Sequence, residues 1–319
     1  MAGYKPVDSL KSPRFCGVRT FMRLPYLETT EGIDFAIVGV PFDTGATYRI
    51  GARFGPEAIR STSVLLRPHN MALDITVFDH CSGVDYGDLP VVPGYIEDSY
   101  KRIEQALFPL VDKGVIPVFL GGDHSITLPE LRALTKKHGP IALIQFDSHT
   151  DTWDEYFGRP YNHGTTFRRC VEEGLIIVDR SIQIGIRGSV YSKDDIQAAE
   201  SLGFKVITAK QGREMGIDNV IDVIRRRVGE VRTFITFDID FVDPAYAPGT
   251  GTIEVGGFTS AESLELIRGL GGLNFTGFEV VEVLPAYDPA QITAFLAANI
   301  VYEFISLLAL NKREDATGT

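Results

Sequence analysis

Cysteine is scarce in this chain, and positive charge is outnumbered. The three cysteines, Cys16, Cys81 and Cys170, are odd in number and far apart, with no C-x-x-C pair. That argues against a disulfide framework and reads as structural thiols in a reducing compartment. Lys and Arg number 31 against 42 Asp and Glu, giving a formal net charge of −11 and a pI near 5.1. Nucleic acid and anionic membranes are held by basic patches, so neither is expected as a partner. No apolar run approaches the length of a membrane span, and the amino terminus M-A-G-Y-K-P-V-D-S-L has no apolar signal core. Low-complexity tracts and repeats of roughly 20 to 50 residues are missing as well. The expected location is the cytoplasm.

What is present is material for a core, 44% of the residues being hydrophobic. Residues 1–32 hold prolines at 6, 13 and 25 and little periodicity, so they read as an arm whose apolar part, Pro13 to Pro25, packs on its own subunit or on a neighbour. Residues 33–319 alternate apolar runs with amphipathic segments, the pattern of a single domain. Strands are expected at Ile33 to Val40, Thr76 to Phe78, Gly83 to Asp85, Val115 to Leu120, Ile141 to Phe146, Ser181 to Arg187, Lys205 to Ala209, Thr233 to Phe237 and Phe275 to Val283. Helices are expected to open at Pro56, to run from Tyr95 to Lys113, and to stop at Gly139-Pro140 after His138. Further helices fall at Lys193 to Leu202, Ile217 to Val228, Thr259 to Leu270 and Ile292 to Leu310. Strands linked through helices run parallel, and the crossovers cover both faces. The fold class is therefore α/β, three αβα layers around a mostly parallel sheet.

Three of the apolar runs end in donor residues. Ile141 to Phe146 leads into D-S-H-T-D, and if the chain stays extended there, Asp147, His149 and Asp151 share one face. Thr233 to Phe237 leads into Asp238-Ile239-Asp240, and Val115 to Leu120 into Gly121-Gly122-Asp123-His124. The C-terminal edge of a parallel sheet is where ligands bind. His124, Asp147, His149, Asp151, Asp238 and Asp240 are too many donors for one Zn²⁺ and suit two divalent ions. Oxygen donors with two nitrogens favour Mn²⁺ over thiolate-loving metals, with Ni²⁺ or another divalent ion open. Helix caps or a polar mouth would explain one such stretch, not three.

G-G-D-H-S at 121–125, D-S-H-T-D at 147–151 and D-I-D-F-V-D-P at 238–244 resemble, in this order, the three signature motifs of the ureohydrolases, the arginase and agmatinase family. The resemblance implies that His124, Asp147, Asp151 and Asp238 hold one ion and His149, Asp147, Asp238 and Asp240 the other, with Asp147 and Asp238 bridging. Ions about 3.5 to 4 Å apart lower the pKa of a water between them and supply hydroxide near neutral pH. His163, in the polar loop Tyr161 to Gly164, matches a histidine that shuttles a proton, a task suited to an imidazole near its unperturbed pKa. Glu282, on the last apolar strand, matches the carboxylate that grips the substrate guanidinium. With Asp151 these two make the catalytic set. Thr252 matches a position lining the pocket. The loop holding Arg49 and Arg53 is placed near the mouth, though an interface or surface role fits them equally. The implied reaction is cleavage of a linear guanidino compound to urea and an amine, in a homotrimer or homohexamer. Ser148, Glu279 and Ile253 stand where alanine, aspartate and proline are more familiar. A non-catalytic subunit on this fold would have lost ligands, and all are present. A deacetylase on a related sheet would use one metal and would not require His124, Asp240 and Glu282 together.

The substrate tail is read from the residues beyond D-S-H-T-D. Arginases have an amide side chain where this chain has Trp153, which disfavours arginine. The indole face offers an ammonium a cation–π contact of about 0.5 to 2 kcal/mol, and acidic Asp154 and Glu155 follow it, so agmatine is expected. Arg159, Arg168 and Arg169 could instead bind a carboxylate, making 4-guanidinobutanoate or a shorter guanidino acid the alternative.

Overall fold

The computed structural model describes residues 3–317. Ten strands form among them: β1 (Phe35–Gly39), β2 (His69–Asn70), β3 (Ile75–Thr76), β4 (Gly83–Asp88), β5 (Ile116–Leu120), β6 (Ala142–Phe146), β7 (Ile182–Ile186), β8 (Lys205–Thr208), β9 (Thr233–Asp238) and β10 (Phe275–Val281). The short pair β2 and β3 is antiparallel and separate. The other eight build one sheet in the order β4-β1-β5-β10-β9-β6-β7-β8, parallel at every pairing. Parallel strands covered on both faces read as unbroken apolar runs, and β1, β6, β7, β9 and β10 are buried at every residue.

Alternate residues of one strand feed two cores. Phe35 and Ile37 join the cluster packed by the helices Gly55–Ser63, Ile217–Val228, Ser260–Arg268 and Ile292–Thr317. Ala36 and Val38 join the cluster packed by Ile96–Asp112, Thr127–His138 and Thr166–Glu172. The three-layer αβα expectation is met.

Several boundaries differ from the sequence reading. Phe78 belongs to a one-turn helix, Val77–His80, so the predicted strand there shrinks to β3. Ala209 opens a helix, Ala209–Met215, whose start is fixed by a reciprocal Thr208–Gln211 capping box that outweighs the β-like run before it. The last helix runs to Thr317 and not to Leu310, and with the turn before it, over Pro289–Ala316, it is long and apolar enough to cross a membrane by length and composition. Its most apolar window is 83% buried, the condition of a core helix. Charge and amide groups inside it had concealed the run. Glu303 is buried against Arg268 and Asn70, which compensate it. The arm splits in two: Phe21, Met22 and Leu24 lie in the chain's own core, while Leu10, Phe15 and Val18 are exposed.

Candidate active site

The consecutive strands β5, β10, β9 and β6 deliver, at their C-terminal ends, residues 121–124, Glu282, residues 238–240 and residues 147–151. The donors converge, but not by strand alternation. β6 ends at Phe146, the chain then turns, and Asp151 adopts φ 50°. Glu282 lies past the end of β10, not on it, with φ 62°. Such conformations cost a non-glycine residue of order 1 to 3 kcal/mol and persist where surroundings hold them. The Phe167 amide donates to Asp151 O, and the Glu282 amide to Gly122 O. Glycine is required at 122, since a Cβ there would lie 1.7 Å from the Phe42 carbonyl oxygen.

The fully buried Nδ1 of His124 makes no hydrogen bond among the described residues, yet carboxylate oxygens of Asp147, Asp151 and Asp238 stand 3.0, 3.1 and 3.3 Å from it. An unsatisfied imidazole nitrogen facing three acids is what a cation completes. A second group adjoins it: His149 Nδ1 lies 3.1 Å from Asp240 Oδ2 and 3.6 Å from Asp147 Oδ1. Asp147 is common to both sets. The nitrogen and oxygen donors thus fit two divalent ions side by side. All six predicted ligands are brought together.

Protons are held where cations would sit. Burial opposes charge on both imidazoles, but the aspartates around His124 and around His149 outweigh it and lift both pKa values well above 6.5. Asp147, although buried, is held below the usual carboxylate range by those two imidazoles. Burial and the charge of Asp147 lift Asp151 to about 6, while burial with Asp240 and Asp147 lifts Asp238 well above its ordinary value. Loading with dications therefore releases protons.

Beneath the ligands a polar row crosses four strands. Gln183, Gln145, Thr236 and Glu279 are register partners on β7, β6, β9 and β10. Gln145 Nε2 donates to Asp147 Oδ2 at 2.7 Å, and Gln183 Nε2 to Gln145 Oε1 at 2.6 Å. Thr236 Oγ1 is 2.7 Å from His124 Nε2, so with Nδ1 facing the acids the Nε2–H donates to the threonine. The sequence reading missed this layer. Its signal was there, in polar residues breaking otherwise apolar buried runs. Of the departures from the family pattern, Ser148 donates through Oγ and N to Asp240 Oδ1, and Glu279 accepts from Thr127. Ile253 is exposed at the mouth.

Glu282 Oε1 accepts from the His124 amide and lies 2.9 Å from His163 Nδ1. His163 is buried, and its Nε2 meets Thr47 Oγ1 at 2.7 Å. Burial works against its charge, but Glu282 prevails and raises its pKa to about 9, away from the unperturbed value expected. An inner chamber of about 70 Å³ over these groups is lined by His149, Asp151, Trp153, Tyr156, His163 and Thr252. It opens to a mouth of about 360 Å³ bordered by Arg49, Trp153, Tyr156, Tyr191, Thr252 and Glu254. A hollow of similar size, about 400 Å³, lies at the opposite sheet edge beside Asp34 and Lys312 and holds none of the donors.

Trp153 and Thr252 line both the chamber and the mouth, but the charged residues assigned to the tail do not. Asp154 is paired with Arg169, and neither lines the mouth. Arg168 is turned to Thr152 O, and Arg159 and Glu155 are exposed outside it. Arg49, whose loop the resemblance placed near the mouth, does border it, its guanidinium 4.6 Å from the Tyr287 ring centre. Arg53, by contrast, is spent on Asp43.

Comparison with known proteins agrees with this geometry. The chain matches the Arginase family over residues 33–306. It is 42% identical to guanidinobutyrase of Pseudomonas aeruginosa, covering 96% of this chain and 97% of that protein. It is 45% identical to the mitochondrial agmatinase of Gallus gallus, over 92% of this chain and 86% of the relative. The solved structure of proclavaminate amidinohydrolase from Streptomyces clavuligerus superposes with a TM-score of 0.91 at 40% identity, covering 94% of this chain and all of that one. With its paired imidazole and carboxylate groups on an eight-stranded parallel sheet, this chain belongs to the arginase family of ureohydrolases.

Proposed function

We propose that the protein hydrolyses a linear guanidino compound to urea and an amine with two divalent ions, Mn²⁺ foremost. The observation that supports it is the pair of donor groups sharing Asp147, beside the chamber-lining His163, which Glu282 ties to the His124 amide. Two dications bound there would lower the pKa of water enough for it to ionise near neutrality. His124, Asp147, Asp151 and Asp238 are assigned to one ion and His149, Asp147, Asp238 and Asp240 to the other. Glu282 holds the guanidinium by charge-assisted hydrogen bonds and fixes its carbon toward the nucleophile. His163, oriented by Thr47 and Glu282, passes a proton to the leaving amine. The inner chamber, walled by Trp153 and Tyr156, shields the reacting end from bulk water.

The tail is where two readings divide. Agmatine draws support from the Trp153 face and from Glu254 at the mouth. A guanidino acid draws support from Arg49, which has no carboxylate partner among the described residues. Arg49 can hold a carboxylate through two parallel charge-assisted hydrogen bonds, a planar match that a single ammonium has with neither the indole nor Glu254, so we favour the guanidino acid. The test is kcat/KM for 4-guanidinobutanoate, 3-guanidinopropanoate, agmatine and arginine. A guanidino acid should lead agmatine by about tenfold or more, and Arg49→Met should erase that lead. A tenfold preference for agmatine would transfer the tail to Trp153 and Glu254. We further assign residues 33–319 to one catalytic domain, the exposed part of the arm to contacts in a homotrimer or homohexamer, and the protein to the cytoplasm. The free thiols and acidic balance support that location.

A further inference from the structure

A buried carboxyl pair lies behind His124, and the reaction above leaves it without a task. Glu130 sits in the first turn of the helix Thr127–His138 and Glu279 on β10, both with no exposed surface. Glu279 Oε1 accepts from Thr127 Oγ1 at 2.7 Å and stands 4.0 Å from His124 Nε2. Its Oε2, and both oxygens of Glu130, receive no hydrogen bond from the described residues. Two ionised carboxylates facing each other in a dry core would repel, and each would keep orphaned lone pairs. One proton removes the repulsion and lets one Glu130 oxygen pair with Glu279 Oε2. Thr127, three residues before Glu130 in the same first turn, brings that helix face against Glu279, and burial with the charge of Glu279 raises the pKa of Glu130 far above the ordinary carboxylate range.

We propose that Glu130 is a positioning residue, a neutral carboxylic acid that donates a hydrogen bond to Glu279 and thereby holds the Glu279 carboxylate against the His124 ring. The ring is then fixed from three sides. Thr236 takes its Nε2–H, Phe167 packs edge-on with centroids 5.1 Å apart, and the compensated charge of Glu279 lies alongside. A carboxylate behind a ligating imidazole orients the ring and strengthens its donor nitrogen. The inference rests on the reading that His124 holds a divalent ion.

The test uses the full chain and three variants, Glu130→Gln, Glu130→Leu and the double replacement Glu130→Leu with Glu279→Leu. Mn²⁺ binding is followed by calorimetric titration, the metal-free proteins by thermal unfolding, and wild type against Glu130→Gln by infrared difference spectroscopy. The wild type should show the carbonyl stretch of a protonated carboxyl that Glu130→Gln lacks. The glutamine variant, whose amide still donates to Glu279, should keep wild-type Mn²⁺ affinity. Glu130→Leu should weaken one of two binding steps by about tenfold, the lower range for groups behind a ligand. The double variant should unfold at or above the wild-type temperature, since no unpaired carboxyl remains, yet keep the weakened step. Absence of the infrared band would overturn the proposal. So would a glutamine variant as weak as leucine, or a double variant binding Mn²⁺ like wild type. A wild type that takes up no divalent ion would defeat the metal reading instead, and the infrared band would still decide whether Glu130 is the neutral donor.

Discussion

Thr236→Val removes one oxygen from the layer behind the ligands and changes the shape of the side chain little. Thr236 lies on β9 with no exposed surface, and its Oγ1 is the partner of His124 Nε2 at 2.7 Å. Two costs follow, and they appear in different measurements. The Nε2–H is left buried without an acceptor, a penalty of about 1 to 3 kcal/mol that the metal-free protein also bears, so it registers as lost stability. The ring also loses the contact that fixes its tautomer and tilt, which costs ligands about 10- to 100-fold in metal affinity. Only the His124 ion should feel it, because the His149 group contacts Asp147, Asp240 and Ser148 and not Thr236. Titration of metal-free protein with Mn²⁺ should show one step weakened by at least about tenfold and the other unmoved. Equal weakening of both steps, or none, would refute the assignment of Thr236 to one ligand.

Glu282→Ala should nearly abolish urea release with both ions retained, whereas His163→Ala should slow turnover about a hundredfold, again with metal in place; metal content measured beside kcat checks both. In the metal-free protein His163 is raised from 6.5 to about 9, so the stabilisation it gains from Glu282 is fully present below pH 6.5 and fades as pH rises through 9. Denaturant unfolding of metal-free wild type should lose more stability than His163→Asn between pH 6.5 and pH 9, and parallel curves would contradict this. Mn²⁺ loading at pH 7 in weak buffer should release protons, because His124 and His149 carry them in the metal-free state. A calorimetric enthalpy independent of buffer ionisation heat would exclude that.

The donor cluster was legible because each of its residues follows an apolar strand in the chain, and a parallel sheet sends those ends to one edge. The way they meet was not. Asp151 and Glu282 take positive φ values, which neither residue type predicts, so strand alternation does not describe how these residues come together. Gln145 and Thr236 were visible as polar breaks in β6 and β9, but their partners are fixed by register across the sheet, which no single strand encodes. The tail residues were the least legible. Sequence proximity to Trp153 nominated Asp154, Arg168 and Arg169, while the fold pairs Asp154 with Arg169 and leaves at the mouth Arg49, which the resemblance had placed nearby with an interface or surface role equally open. His163 was identified by motif order, but its basicity depends on Glu282, 119 residues away in sequence.

Metal stoichiometry measured together with urea release tests the central claim most directly. Metal-free wild type and Asp147→Ala would be titrated with Mn²⁺, with elemental analysis and urea production from 4-guanidinobutanoate and agmatine followed at each addition. The account predicts two ions per wild-type chain, urea that rises only as both are taken up, and loss of metal and urea together in Asp147→Ala because that carboxylate belongs to both donor groups. Urea from a chain holding a single ion, or an Asp147→Ala protein that binds two ions and turns over normally, would contradict it.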